Sequence, residues 1–330
     1  MTLNQFIYRM SRPLGGLQLA KFLSRNHPKI LMYHRITEDP TGEGLTADQF
    51  RQQVTVIKRD FTPMTLQNLL KAHENGKVPK NAVVVTFDDG YRDFKDIAYP
   101  ILTEYDVPVT LFITTGFINK DIWLWPDQIK YCLQRTDMES VSVGKERITI
   151  TIRGRAEKAW NEIADYCLEI PNEERVDLIN NIYDQLKVAY PDSVPQNYDS
   201  LSWNDLRELL ERGVDIGSHS VNHPILTRMP LNEVKCEVEE SRKLILKELG
   251  QEPTVFCYPN GTERDFNESI KRIIDLAGYK YAITAIGERF NLSDRFEIGR
   301  YGVGRSFEDF EKKVFGLTYI SDRFMRRELG

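Results

Sequence analysis

Two adjacent aspartates, Asp88 and Asp89, stand in the sequence TFDDGYRDF at positions 86–94, directly after a β-branched run at 81–85 that is typical of a buried strand. Two like charges at a strand end are costly, because each carboxylate disfavours ionisation of the other. A metal ion bound by one carboxylate would relieve that cost and leave the other free for proton transfer. A solvated turn is the alternative interpretation, since Asp-Gly is a common turn signal.

Two of the five histidines, His219 and His223, lie four positions apart in GSHSVNHP, just after a predicted strand at 214–218. On a helical turn this spacing puts both imidazoles on one side. Gly217 and Pro224 would keep such a helix brief, so the loop itself must provide the geometry. The pair alone is weak evidence for a metal site. With an aspartate from another strand end, it gives a three-ligand set with an open position for water, which is typical of a catalytic metal site.

Strand and helix patterns alternate along the chain, which predicts a parallel α/β architecture of about seven β/α units. The strand patterns fall at 29–34, 82–87, 108–115, 214–218, 254–258, 280–285 and 296–303. The helical patterns fall at 47–59, 65–73, 94–105, 202–213, 230–249, 266–277 and 306–318. A barrel of about 250 residues accounts for these units. Residues 119–200 then form a mostly helical insertion, with a hairpin pattern near 141–152 and helical patterns near 156–168 and 172–190.

Composition narrows the class of protein. The 330 residues are 41% hydrophobic, enough for one large core, and the net charge of −5 argues against nucleic-acid binding by the whole chain. Four cysteines without paired spacing indicate free thiols of a reducing compartment. The sequence contains no run of 18 apolar residues, so no membrane span is predicted. The N-terminus lacks the apolar core of a secretory signal. The expected location is therefore the cytoplasm, with the inner face of the membrane as a further option.

The chain termini are basic. The first 37 residues contain no Asp or Glu and six Lys or Arg, and the tail at 319–330 adds three arginines. Within the N-terminal segment 1–27, the pattern after Pro13 indicates a short amphipathic helix. Such a helix can lie on an anionic membrane surface, but more often it packs on its own domain. Peripheral membrane contact is thus an open prediction, and the sequence does not indicate an oligomeric state.

Three motifs, TFDDGY, HSVNH and CYPNG at 257–261, occur in the order found in the polysaccharide deacetylase family, the NodB-homology carbohydrate esterases, which the chain resembles over about residues 28–318. The resemblance implies a distorted (β/α)₇ barrel. It implies that Asp89, His219 and His223 hold a divalent metal, usually Zn²⁺, with Co²⁺ or Ni²⁺ as alternatives, and that Asp88 is the general base. The metal would acidify water and polarise the acetyl carbonyl, while the backbone N–H of Tyr258 would stabilise the oxyanion.

Two family features are absent from the sequence. The third motif lacks the arginine that steadies the base, and no histidine follows His223 to act as the acid. The subgroup that this chain resembles, which includes deacetylases acting on exopolysaccharides, instead has a Tyr-His pair at the first strand. Here that pair is Tyr33-His34, so His34 is the candidate acid; a buried structural histidine is the alternative. Arg300, near the last strand, is the candidate to orient Asp88, although an ordinary ion pair is equally compatible. Cys257 is expected to line the site without chemistry.

The predicted function is metal-dependent N-deacetylation of an acetamido sugar, with release of acetate. The substrate would be a cell-surface polysaccharide, a lipopolysaccharide, or a lipid-linked or nucleotide-linked precursor, the last two suggested by the missing secretory signal. Trp123, Trp125 and Trp160 of the insertion could stack on sugar rings above the site. The alternatives are hydrolysis of another linear or cyclic amide on the same barrel, and a non-catalytic glycan-binding protein. The last would be expected to lose Asp88 or a metal ligand.

Overall fold

The central sheet is built from seven parallel strand segments. The computed structural model describes Tyr8, Arg12 and residues 15–42, 44–287 and 291–321. The segments are β1 (Lys29–Tyr33), β2 (Ala82–Phe87), β3 (Val109–Ile113), β4 (Asp215–Ser218), β5 (Val255–Cys257), β6 (Tyr281–Thr284) and β7, which consists of Ile298–Gly299 and Tyr301–Gly302 on either side of Arg300.

The two pieces of β7 close the barrel. The first piece pairs with β6, where Ile298 is opposite Ile283, and the second pairs with β1, where Tyr301 is opposite Leu31. Each of the other segments pairs in parallel with the next in chain order. The predicted (β/α)₇ barrel is therefore confirmed, with its last strand divided into two short pieces. An additional short strand, Thr62–Pro63, pairs with β2 outside this path.

The sequence of β2 explains why it lies at the centre. All six residues of AVVVTF are buried, as expected for a parallel strand covered on both faces. Because side chains alternate along a strand, Val83 and Val85 join one hydrophobic cluster, whereas Ala82 and Val84 join another. The strand can therefore hold the polar residues that follow it in a fixed position.

Helices connect the strands with the predicted spacing. Among the helices that the structure describes, two begin with a capping box, in which Thr46 pairs with Gln49 and Ser202 with Asp205. A five-residue π-helix at 94–98 precedes the helix after β2. The described α-helices are Gly16–Leu23, Ala47–Asp60, Leu66–Glu74, Tyr99–Glu104, Thr115–Ile118, Trp125–Arg135, Ala156–Glu169, Asn172–Leu186, Trp203–Glu211, Leu231–Leu249, Glu268–Leu276 and Phe307–Val314.

The stretch predicted as an insertion lies between β3 and the helix Trp203–Glu211 and has a hydrophobic core of its own. It contains the antiparallel hairpin Ser140–Val143 with Ile148–Thr151. Trp123 and Trp125 are buried, and Trp160 donates its indole N–H to a backbone carbonyl. The expectation that these tryptophans stack on sugar rings is therefore wrong for Trp123 and Trp125, because protein atoms cover both.

The helix Gly16–Leu23 lies at the end of the barrel where the strands begin. Lys21 donates to the backbone carbonyl of Asp60, and the N–H of Asn81 donates to the carbonyl of Arg25 next to the start of β2. Most of the predicted basic tail and the first seven residues lie outside the described part of the chain. Within that part, no helix combines the length and the apolar character that crossing a bilayer requires.

Candidate active site

The carboxylates of Asp88 and Asp89 are both buried at the carboxyl end of β2, where the chain turns sharply. Asp89 has a backbone φ of 73°, in the left-handed region that residues other than glycine rarely adopt. Such strain costs about 1–3 kcal/mol and persists where surrounding structure enforces it, often at functional sites. The two neighbouring side chains have different partners.

Asp88 is held by Arg300. The guanidinium donates to both carboxylate oxygens at 2.7 Å, and it also donates to Oγ1 of Thr86 at 3.0 Å. Burial alone would raise the pKa of Asp88, but the paired guanidinium outweighs it and holds this pKa well below its usual value. Asp88 is therefore ionised, and Arg300 lies where the sequence analysis expected the residue that orients it.

Asp89 lies against the two predicted histidines. Its Oδ1 is 3.4 Å from Nε2 of His219 and 3.5 Å from Nε2 of His223. His219 donates its Nδ1–H to the carbonyl of Cys257 at 2.9 Å, which leaves the lone pair of its Nε2 facing Asp89. The structure thus brings together the three predicted metal ligands, from the ends of β2 and β4.

Electrostatics favour neutral imidazoles in this group. Burial lowers the pKa of His219 to about 4 and lowers that of His223 well below its usual value. Burial, together with Asp88 and Asp127, raises the pKa of Asp89 well above that of an ordinary carboxyl group. A cation bound between the three side chains would remove the penalty on the Asp89 carboxylate.

The three side chains fit a divalent metal ion. Oδ1 of Asp89 is buried and, among the described residues, has no hydrogen-bond partner, although two imidazole nitrogens face it. In a tetrahedral zinc site with ligand bonds of about 2.0–2.1 Å, ligand atoms lie roughly 3.3–3.4 Å apart, close to the observed separations. A second group, Asp88 with His219 and Cys257, is also compact, but the guanidinium of Arg300 already occupies Asp88.

His34 lies at the open side of the site. Its Nε2 is 3.9 Å from Oδ2 of Asp88, and 45% of its side chain is exposed, so it is not the buried structural histidine considered above. The walls of the site still desolvate the ring, which lowers the pKa of His34 against the opposing effect of Asp88. The position suits proton transfer to or from a bound substrate.

The prediction for Tyr258 needs correction. Its backbone N–H donates to the carbonyl of Ile283 at 3.2 Å, as part of the pairing between β5 and β6. Its ring stacks on Phe266, and its hydroxyl donates to the carbonyl of Phe296. The N–H is therefore not available as an oxyanion donor. Sequence reasoning could not detect this, because the pairing depends on the register of two strands.

Cys257 lines the site, as expected. Its Sγ lies 3.0 Å from Nη2 of Arg300 and 3.7 Å from Oδ2 of Asp88. Burial raises the pKa of this thiol well above its usual value, so the neutral thiol acts as a wall beside the ion pair.

A further group of polar residues acts on Asp89 and was not predicted from the sequence. Tyr91 donates its hydroxyl to the buried carboxylate of Asp127 at 2.7 Å, and the guanidinium of Arg35 lies over the tyrosine ring, 4.2 Å from its centre. Arg35 also pairs with Asp93. Asp127 begins the helix Trp125–Arg135, so the insertion contributes to the site through these contacts.

A family model described as polysaccharide deacetylase matches residues 75–147 and 157–282, which together make up more than half of the chain. The match includes both aspartates, both histidines and the CYPNG motif. A poly-beta-1,6-N-acetyl-D-glucosamine N-deacetylase from Staphylococcus epidermidis is 31% identical over 111 residues, covering 29% of this chain. This alignment spans 38% of the length of the staphylococcal protein.

Solved structures share the fold. The deacetylase PplD of Streptococcus pyogenes, in complex with acetate, superimposes with a TM-score of 0.57 at 19% identity, covering 87% of this chain and 97% of the other. A de-N-acetylase from Aggregatibacter actinomycetemcomitans superimposes with a TM-score of 0.59 at 17% identity, covering 86% and 98%. At such low identity these likenesses establish the barrel architecture alone.

Proposed function

This chain belongs to the polysaccharide deacetylase family, and from that premise we propose that it is a hydrolase that removes the acetyl group from an acetamido sugar with the help of a divalent metal ion. One observation supports this proposal most strongly. Three ligand atoms, from Asp89, His219 and His223, converge beside a separately held and ionised carboxylate, Asp88. This is the arrangement that metal-assisted amide hydrolysis requires, with one set of groups for the ion and another for the proton.

The metal would be held by Asp89, His219 and His223, and Zn²⁺ suits two imidazoles and one carboxylate, with Co²⁺ or Ni²⁺ as alternatives. When bound, a divalent cation supplies Lewis-acid chemistry: it polarises the acetyl carbonyl and acidifies water. The protein's part is to keep both imidazoles neutral and aimed at one point. The hydrogen bond from His219 to the carbonyl of Cys257 contributes to this aim.

The proton transfers are assigned to Asp88 and His34. Asp88 accepts a proton from the attacking water. The two hydrogen bonds from the guanidinium of Arg300 keep its carboxylate ionised and fixed in orientation. As the C–N bond breaks, the amine of the sugar needs a proton. His34 is near enough to Asp88 to take up the proton that Asp88 accepted, and open enough to the substrate side to deliver that proton to the amine.

The substrate class we propose is a polymer or oligomer of N-acetylglucosamine. The proposal draws on the name of the staphylococcal relative, which is a poly-beta-1,6-N-acetyl-D-glucosamine N-deacetylase. A cavity of about 740 Å³ is lined by Arg35, Asp93, Asp199 and other polar residues, though by none of the proposed metal or proton-transfer residues, and it has room for further sugar units. Lipid-linked and nucleotide-linked acetamido sugars are the competing substrates.

Acetate release tests the reaction. Metal-free protein should be loaded in turn with Zn²⁺, Co²⁺ and Ni²⁺ and incubated with β-1,6- and β-1,4-linked N-acetylglucosamine oligomers and with lipid-linked and nucleotide-linked acetamido sugars. We expect acetate from the β-1,6 oligomers, and none after Asp88→Asn with metal content unchanged. A metal-loaded wild type that releases no acetate from any of these sugars would contradict the proposed reaction.

We further propose a cytoplasmic location with peripheral contact to an anionic membrane. The helix Gly16–Leu23 exposes Leu19, Phe22 and Leu23, with the guanidinium of Arg25 stacked on the ring of Phe22. A basic helix with an apolar face suits a lipid surface. Because this helix lies at the opposite end of the barrel from Asp88, docking through it would turn the site away from the membrane.

Flotation with phosphatidylglycerol liposomes tests the membrane proposal. The double variant Leu19→Ser/Phe22→Ser should lose binding, whereas Leu276→Ser, which changes a leucine that is 76% exposed elsewhere, should not. No flotation of the wild type, or equal flotation of all three proteins, would argue against it. Fractionation of cells expressing the untagged full-length protein tests the location.

A further inference from the structure

The loop 219–223, which carries both histidine ligands, is fastened on one side by the end of β3. The N–H groups of Thr115 and Gly116 donate to the carbonyls of Ser220 and Val221, at 3.1 and 2.9 Å. The contact is tight, because a Cβ atom on Gly116 would lie 2.8 Å from the carbonyl oxygen of Val221. This side of the loop therefore presents carbonyl groups to the barrel.

The other side of the loop presents N–H groups, and these meet Glu237 of the helix Leu231–Leu249. Oε2 of Glu237 accepts from the N–H of Val221 at 2.8 Å and from the N–H of Asn222 at 2.9 Å. Oε1 accepts from the side-chain amide of Asn222 at 2.6 Å. One carboxylate therefore binds all three donors of the two residues at the centre of the loop.

This use of a carboxylate points to a specific task. Glu237 is only 7% exposed, and a buried charge is costly unless it is well hydrogen-bonded. A carboxylate accepts backbone N–H bonds more strongly than a neutral acceptor does. The loop it holds includes two left-handed residues, Ser220 with φ 67° and His223 with φ 51°. Such a backbone needs fixed contacts on both sides to keep its shape.

We propose that Glu237 is a positioning residue for the metal site: it fixes the loop so that both Nε2 atoms of His219 and His223 face Oδ1 of Asp89. It touches neither substrate nor metal, and it acts through the backbone of residues 221 and 222. A second hydrogen bond ties the same helix to β4, since Ser218 donates its hydroxyl to that of Ser241 at 2.8 Å. The helix therefore holds both the strand end and the loop that follows it.

The inference rests on the proposed function only in that the site binds a metal ion. Its first measurement, in metal-free protein, is amide hydrogen exchange at Val221 and Asn222. Its second is zinc affinity by competition with a chelator of known affinity. In Glu237→Ala we expect faster exchange at both amides and a zinc affinity lowered by about 10- to 100-fold, as for other residues that orient metal ligands. Turnover per bound zinc should change much less than affinity.

Two variants serve as comparisons. Glu240→Ala removes an exposed glutamate of the same helix that pairs with Lys243, and it should leave exchange and affinity unchanged. Glu237→Gln keeps a carbonyl for the two backbone N–H groups, and the side chain of Asn222 can turn to present its oxygen to the new amide. We therefore expect Glu237→Gln to restore most of the affinity, which a general loss of packing would not predict.

Unchanged exchange and affinity in Glu237→Ala would overturn the inference, and so would an equal loss in Glu240→Ala. If Glu237→Ala does not fold, Asn222→Ala decides the question. It removes one donor, so zinc affinity should fall by about fivefold, the equivalent of one hydrogen bond; no change would overturn the inference. A wild type that binds zinc but releases no acetate would defeat the proposed reaction alone. Slow exchange that persists without zinc binding would defeat the metal site and this inference together.

Discussion

Arg300 binds Asp88 through two parallel hydrogen bonds of 2.7 Å, although the two residues are 212 positions apart in the chain. Both are almost fully buried, and Arg300 lies at the break between the two pieces of β7. The break releases one residue from strand pairing at the point where the barrel closes. The guanidinium therefore reaches the proposed base from β7, which β1 alone separates from β2, and it stands in for the arginine that the third motif of this chain lacks.

Replacing Arg300 should impair proton transfer at Asp88 without weakening metal binding. Arg300→Met leaves a buried carboxylate unpaired, so we expect a loss of about 3–5 kcal/mol in the free energy of unfolding. Turnover should fall by about 10²-fold or more while bound zinc stays at one equivalent. Arg300→Lys keeps the positive charge but cannot form the two parallel hydrogen bonds to Asp88, so it should recover more stability than activity. Urea unfolding, metal content and acetate release check these outcomes; unchanged turnover in Arg300→Met would contradict them.

His223→Ala should weaken metal binding more than the loss of a residue that only orients a metal ligand does. One of three ligands is lost, so zinc affinity should fall by more than the roughly 10- to 100-fold that is typical when a residue orienting a metal ligand is removed. The wild type should gain thermal stability with zinc, by about 2.7 kcal/mol when the free ion is at 100 times its Kd, because the ion binds the folded state. Thermal unfolding with zinc and with a chelator measures both effects. Equal stabilisation of the two proteins would show that zinc binds elsewhere.

His34→Ala tests the proposed acid. Because His34 lies 3.9 Å from Asp88 and binds no metal ligand directly, metal affinity should not change. Turnover should fall by about 10²-fold or more, as expected for loss of a general acid. The loss should be smaller on an ester substrate with a good leaving group, which needs less protonation. His73→Ala, on the helix Leu66–Glu74, is the matched control. Turnover equal to the wild type in both variants would remove His34 from the mechanism.

Lys29 should make stability depend on pH. It is fully buried at the start of β1, where its ammonium donates to Ser24, and burial lowers its pKa from 10.5 to about 7. Between these values the unfolded chain binds the proton and the folded chain does not, so stability should rise with pH from about 7 to 10.5.

Lys29→Met removes the cost of burying this group, which the shift from 10.5 to about 7 puts at about 4–5 kcal/mol, and loses the two hydrogen bonds to Ser24, so it should stabilise the protein at pH 7 by roughly 2–3 kcal/mol. The difference from the wild type should shrink as the pH rises towards 10. Urea unfolding at a series of pH values measures it. A difference that stays constant with pH would show that Lys29 does not titrate in this range.

Gly116→Ala should disturb the metal loop from its other side. The new Cβ would lie 2.8 Å from the carbonyl oxygen of Val221, too close for a real contact, so the loop or the end of β3 must shift. Overpacking of this kind costs about 1–3 kcal/mol, and zinc affinity should fall with it. Gly304→Ala is the matched control, since nothing lies within 4 Å of its added Cβ. Zinc affinity equal to that of the control would contradict the prediction.

The barrel could be predicted from the sequence in detail. The run at 82–87 forms β2 with the predicted bounds, and the helix Trp203–Glu211 lies within the pattern predicted at 202–213. Such features depend on residues close together in the chain, so local patterns are sufficient to find them. That an aspartate at the end of β2 would lie near His219 and His223 could be inferred because parallel strands place their carboxyl ends at one edge of the sheet, whereas the choice of Asp89 came from the family resemblance.

The residues that the sequence could not assign are those whose role depends on register or on distant packing. Tyr258 looked like an oxyanion donor, but the pairing of β5 with β6 engages its N–H. Glu237 resembles any other glutamate of an acidic helix until the helix is placed against the loop of residues 221 and 222.

The sequence shows which groups are available for chemistry: two adjacent carboxylates, a histidine pair and the strands that carry them. The family resemblance implied a different task for each carboxylate, and the tertiary structure supplies the physical reason for that division. Adjacent residues have the same local surroundings in the sequence, whereas in the fold one faces Arg300 and the other faces two imidazoles. Despite burial, Arg300, 212 positions away in the chain, holds the pKa of Asp88 low because the closed barrel brings it within hydrogen-bond distance, whereas burial together with Asp88 and Asp127 raises the pKa of Asp89.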